Sequence, residues 1–313
     1  HLFLDKARSV KNITNGQSVY RLVTNGHKLT IIGNLIFTGG AQIDASSTSS
    51  TVEFAGVAVQ SIPVGAFYND QVYNLTVNNP NNVVLNGTLS LLNNLTATSG
   101  LLDAFTNTPT VSYSGLAAQT IVRGRFLSEK ISNLTIDNGI GVTLNTDFTV
   151  DNSMTINSGK LFTIPVLKLL TVSGTLTNNA GNTGLVIKSD ATGEGKLINS
   201  TSSVQATVEL YLTGGLASPG VGIFHYIIPP VVTMSIGTVP TIAEVKTALG
   251  ITNFNGGLLR YNEAAAITSV NQGWQYFDNY PGIPPGFTSL QSTIGYNIYL
   301  IGSSDILKFN GML

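Results

Sequence analysis

The side chains able to do chemistry are few and scattered. Within the first half the acids Asp44, Glu53, Asp70, Asp103, Glu129, Asp137, Asp147 and Asp151 are spread over more than a hundred positions. Cleaving a sugar chain needs two carboxylates facing one groove, and holding a cation needs several oxygens converging. Asp147 and Asp151 come closest. They flank Phe148 and Val150, so they are expected at the two ends of one short strand. Asp44 and Asp103 are 59 residues apart, and Phe162 occupies the next place in that series. Recurrence along the chain suits a turn residue better than a catalytic one. His1, His27 and His225 share no metal-ligand spacing, and His225, between Phe224 and Tyr226, reads as part of a strand. There is no cysteine, which removes thiolate nucleophiles, thiolate metal sites and disulfides. No glycine-rich phosphate loop and no serine elbow is present. The sequence therefore offers no catalytic, cofactor-binding or metal-binding residue.

One aromatic group stands apart: Tyr261, Trp274, Tyr276, Phe277, Tyr280 and Phe287, with Trp274 the single tryptophan. In Gly273-Trp274-Gln275-Tyr276-Phe277 a period of two puts Trp274 and Tyr276 on one face of a strand. The expectation is that they fill the core of a small β domain. The alternative is that Trp274, Tyr276, Tyr261 and Tyr280 are exposed and stack on sugar rings.

The elements that must carry these residues are set by an internal repeat. Residues 52–104 recur as 111–163 at a fixed offset of 59, with Val52, Gly56, Gln60, Ile62, Gly65, Asn74, Leu75, Thr76 and Leu85 meeting identical residues. A long repeat means one unit stacked on the next. Inside each copy apolar residues fall in i, i+2 pairs six residues apart: Val83/Leu85, Leu89/Leu91, Leu95/Ala97, then Val142/Leu144, Phe148/Val150, Met154/Ile156. Each pair points to one side of an extended strand. The residues between them are rich in turn-forming Asn, Gly, Ser and Asp. Short inward-facing strands with regular turns describe a β-solenoid, and 59 residues would hold about three coils of roughly 20. Leu29/Ile31 and Leu35/Phe37 mark a degraded copy before residue 52, displaced by one residue. In-register asparagines such as Asn74 and Asn133 are expected to stack as an amide ladder.

Near residue 204 the pattern changes. Prolines and aromatics rise and the six-residue pairing stops. A helix is expected over 241–249, with Thr241 as N-cap, Glu244 completing a capping box, Val245 and Leu249 as the apolar stripe and Gly250 ending it. The fold class is thus all-β: a parallel β-solenoid over 1–203, with repeats 52–110 and 111–169, and a compact β-sandwich-like domain over 204–313 with one short helix.

Only 10% of residues are charged and the net charge is −1, against about 25% charged in ordinary domains. That balance carries no electrostatic footprint for nucleic acid or an anionic membrane. No apolar run approaches the roughly 18 residues of a membrane span. The start, His1-Leu2-Phe3-Leu4-Asp5, reads as the middle of a longer protein.

Three features resemble secreted surface proteins of Bacteroidota, the type exported by the type IX secretion system. They are the repeat unit "AAQTI…ISNLTIDNGIGVTLNTDFTVDNSMTINSGKL" (117–161) with its weaker twin at 58–102, the bridge "TGLVIKSDATGEGKLINS" (183–200), and a C-terminal module with "FHYIIPPV" (224–231), "LLRYNEA" (258–264), "GWQYF" (273–277), "GYNIYL" (295–300) and "LKFNGML" (307–313). The resemblance implies an extracellular or cell-surface location and a role in adhesion, surface layers or filaments. The expected function is a non-enzymatic structural or adhesive module. A carbohydrate-binding module using the C-terminal aromatics is the alternative, and a β-helix polysaccharide-degrading enzyme the third reading. Expected partners are a polysaccharide or cell-surface glycan, and further copies of the chain meeting through open solenoid ends.

Overall fold

The computed structural model describes residues 1–15, 20–37, 40–214, 222–238, 240–262, 273–278 and 286–313. It is nearly all β, with a parallel solenoid of about nine turns and a single short helix. The chain forms two compact units. The first comprises 1–164, 168–180 and 196–201, and the second 165–167, 181–195 and 202–313. A 3-10 turn spans Gly181–Thr183, and Leu185–Ile187 follows as a strand paired with Gln205–Leu212. The chain passes between the units five times, last at Thr201/Ser202.

In the first unit the paired apolar residues face a common interior. Val83, Leu85, Val142, Leu144, Phe148, Val150, Met154 and Ile156 are all buried, because a period of two sends alternate side chains to one side. Turns stack in parallel register: Val52 beside Leu75, Leu75 beside Leu95, Leu89 beside Val111. These steps of 23, 20 and 22 residues exceed the repeat of 59 by six in total. The repeat is therefore short of three full turns by one strand pair, where the sequence suggested three coils of roughly 20. Val111 does not stand over Val52. Each copy is rotated about the solenoid by six residues, so no repeated residue makes a straight column. The one-residue displacement of the first copy lies between Ile31 and Ile43, since Leu29 meets Val52 after 23 residues where Leu89 meets Val111 after 22, while Ile43–Phe67 and Leu102–Phe126 both take 24.

Corners and polar staples shape each turn. The long strand Phe67–Asn78 bends at Asn69 and Asp70, both left-handed (φ 52° and 58°), and its counterpart Phe126–Ile136 bends at Ser128 and Glu129 (57° and 50°). Inside the solenoid, Gln119 is buried and satisfied on every side. Its Nε2 donates to the carbonyls of Leu91 and Asn93 in the turn before, at 2.9 Å each. Its Oε1 accepts from the Gly115 amide at 2.7 Å and from Asn138 Nδ2 at 2.9 Å in the turn after. Gln60 repeats this with Ile31, Gly33, Gly56 and Asn79. A Cβ on Gly115 would lie 2.6 Å from the Leu92 carbonyl and 2.8 Å from the Gln119 amide, so only glycine fits there. Asn93 and Asn152 donate to Asn74 and Asn133, a ladder of two rungs in each copy. The six-residue rotation turns the next copy's pair to another part of the coil.

In the second unit the helix spans Ile242–Leu249, with Thr241 and Glu244 forming the capping box and Gly250 left-handed at its end. Val245 and Leu249 enter a core with Phe254, Phe277, Leu290, Tyr296, Ile298, Leu300, Leu307 and Phe309. Four antiparallel strands run in the order Gly222–Ile227, Tyr296–Ile301, Phe254–Tyr261, Trp274–Tyr276.

Candidate functional site

Most acids of the solenoid are committed to its structure. Asp44 Oδ1 accepts from the amide and hydroxyl of Ser46, and Asp103 Oδ1 from the amides of Phe105 and Thr106. Both act in turns, as their recurrence suggested. Asp147 caps the Leu169 amide at 2.9 Å, and Asp151 pairs with Lys130 at 2.9 Å. Asp151 is not at the end of a short strand, because that strand continues from Phe148 to Ile156. Asp137 meets Lys160 at 3.4 Å. Glu53 is buried; Lys28 Nζ lies 2.7 Å from its Oε2, with Thr30 and Asn78 also donating. Burial raises its carboxyl, yet the Lys28, Thr30 and Asn78 contacts outweigh that and hold it below the usual glutamate range. Burial likewise raises the Asp103 carboxyl, and the Thr106 and Phe105 donors outweigh it and hold the group below the usual aspartate range. Among the described residues no group of three or more His, Asp or Glu could hold a metal.

The aromatic group lies differently from the core expectation. Trp274 and Tyr276 do share a face, but it is the outer face of the four-stranded sheet. The cross-strand register fixes this. Ile298 and Leu300 on the central strand point into the core, so Asn297 and Tyr299 point out. Tyr226 stands opposite Asn297 and Phe224 opposite Tyr299. On the other side Leu259 stands opposite Asn297, Tyr276 opposite Leu259, and Trp274 opposite Tyr261. Directly paired residues project to the same side. One face thus gathers Phe224, Tyr226, Tyr261, Trp274, Tyr276 and Tyr299 around Asn297 and Leu259. Phe277, just past the Trp274 strand, is the aromatic that enters the core instead, against Phe254 at 5.5 Å between ring centres. The helix covers Phe277's side, not Trp274's, since Val245 and Leu249 belong to that same core.

Phe224, Leu259, Trp274, Tyr276 and Asn297 line a cleft of about 280 Å³. Trp274 is half-buried and meets Tyr261 edge to face at 5.4 Å. Phe224 packs on Tyr299 at 4.5 Å. Phe224, Tyr226 and Tyr261 are 55%, 80% and 49% exposed. At the centre Asn297 is only 8% exposed, and its buried Oδ1 has no hydrogen-bond partner. A buried amide oxygen left unpaired costs about 1–3 kcal/mol, so this position is costly for the free domain.

Of the residues singled out from sequence, the sheet brings together Trp274, Tyr276 and Tyr261. Tyr280 lies outside the described residues. Phe224, Tyr226, Asn297 and Tyr299 were missed. Their signal was the alternation in Phe224-His225-Tyr226 and in Tyr296-Asn297-Ile298-Tyr299, which puts two members of each run on one face. No helix among the described residues is long and apolar enough to cross a membrane. No protein-family model, no curated protein and no solved structure matches the chain.

Proposed function

We propose that the chain is a non-enzymatic extracellular adhesive module, in which a β-solenoid spacer carries a small β domain whose aromatic sheet face binds glycans. The observation that carries this is the aromatic face built around the unpaired, buried amide of Asn297. Flat rings give apolar contact to sugar faces, and a buried amide gives one directed hydrogen bond. Exposure of Trp274 is the feature that separates a glycan-binding module from a purely structural one, and the tryptophan stands at the outer face. The turn, cap and ion-pair roles of Asp44, Asp103, Asp147 and Asp151 favour this reading over a polysaccharide-degrading enzyme. The extracellular location rests on the resemblance of 117–161, 183–200 and the C-terminal module to type IX exports, together with a surface poor in charge.

The test is co-sedimentation with a panel of insoluble polysaccharides. The full chain should pellet with at least one of them, and the double variant Trp274→Ala/Tyr276→Ala should stay in solution while still melting cooperatively as a folded protein. Equal pelleting of both proteins, or none by the parent chain, would overturn the reading.

A further inference from the structure

The composition of the aromatic face also selects the kind of glycan, if the binding reading above stands. The residues that the register sends outward are Phe224, Tyr226, Asn297, Tyr299, Leu259, Tyr261, Trp274 and Tyr276. None carries a charge at neutral pH. The ionisable residues on the same strands are directed elsewhere. Arg260 pairs with Tyr296, whose side chain is in the core; its Nε donates to Gln275 at 2.8 Å and its guanidinium lies over Phe287. His225 pairs with Ile298, also a core residue, and its Nε2 lies 2.8 Å from the Thr213 carbonyl. Recognition of a uronate carboxylate or a sulfate relies on Arg or Lys donors, and neither is among the described residues that line the cleft.

We infer that the cleft takes a neutral glycan built of pyranose rings with mostly equatorial hydroxyls. Such rings expose C–H faces that pack on Trp274 and Tyr276. About 280 Å³ is at the lower end of ligand-sized clefts, with room for one or two rings. Asn297 supplies the polar contact. Its oxygen, unpaired in the free protein, accepts a sugar hydroxyl. A charged sugar would lose hydration against a face that returns no ion pair.

Calorimetry of the full chain with cellohexaose and with hexagalacturonate, at about 20 and about 300 mM salt, tests this. Cellohexaose should bind with an affinity that salt leaves unchanged within about twofold, and hexagalacturonate at least about tenfold more weakly. Asn297→Leu removes the unpaired amide at similar volume. It should weaken cellohexaose binding by about tenfold without lowering the melting temperature, whereas a merely structural amide would lower the melting temperature and leave affinity alone. Equal or tighter binding of hexagalacturonate that fades with salt would overturn the neutral-glycan inference while leaving glycan binding intact. Undiminished binding by Asn297→Leu would remove the amide from the site. Binding of neither sugar, or capture of extended peptides that cellohexaose does not displace, would overturn both readings.

Discussion

Gln119 ties three successive turns together with one side chain. It uses both amide hydrogens and both directions of its carbonyl oxygen, all within the buried interior. Gln119→Leu would leave the buried Gly115 amide without its partner and take one hydrogen bond each from Asn138 Nδ2 and from the Leu91 and Asn93 carbonyls. The expected loss is about 3 kcal/mol or more in urea unfolding, far above that of a surface change. Glu53 gives the residue scale a pH dependence. Its carboxyl is held below the usual 4.5 in the folded chain. A lowered acid adds stability above its unfolded value, and that contribution is lost as pH falls from about 4.5 toward the folded value. Denaturation measured across this window should show the fall, and Glu53→Gln should flatten it. An unchanged slope would mean that other acids set the response. Phe277 and Trp274 form a third contrast. Phe277→Ala removes a core ring and should cost about 3–5 kcal/mol, while Trp274→Ala should cost under about 1.5. The reverse order in thermal melts would place Trp274 in the core.

At the scale of elements the inward register is the quantity to test. Leu144 is fully buried and Asn145 is exposed. Leu144→Asp buries an unpaired carboxylate and should cost several kcal/mol, where Asn145→Asp should cost almost nothing. Equal losses would mean the strand faces the other way. This register was legible in the sequence, because i, i+2 pairs depend only on local backbone geometry. The helix was legible for the same reason, its cap, stripe and terminating glycine all being local. The fraction of a turn held in one repeat was not. It depends on where corners fall, and the left-handed pairs Asn69/Asp70 and Ser128/Glu129 bend the chain within one continuous strand. The aromatic site was half legible. Alternation put Trp274 and Tyr276 together, but which side meets water is decided by pairing with Phe254–Tyr261, some fifteen residues earlier, and through it by the next strand, where Tyr296, Ile298 and Leu300 take the core side. Asn297 showed in the sequence only as the alternate of Tyr296 and Ile298, and nothing local marked its amide as buried and unpaired.

For the whole molecule, the solenoid and the sheet domain divide the work. The stacked turns recur with the same pairings in each copy, and most of their carboxylates hold turns or ion pairs. Repetition of this kind extends a scaffold and rotates it by six residues per copy, which distributes any repeated residue around the coil. The aromatic face is present once. A single site beside a repetitive scaffold suits the proposed adhesive role, in which Trp274 meets a sugar. The chain has one tryptophan, so iodide quenching of its emission reports that contact directly. The account predicts an indole that iodide quenches in the free protein, and that becomes blue-shifted and shielded as cellohexaose is added to saturation. An emission that iodide cannot reach in the free chain, or that no sugar alters, would contradict it.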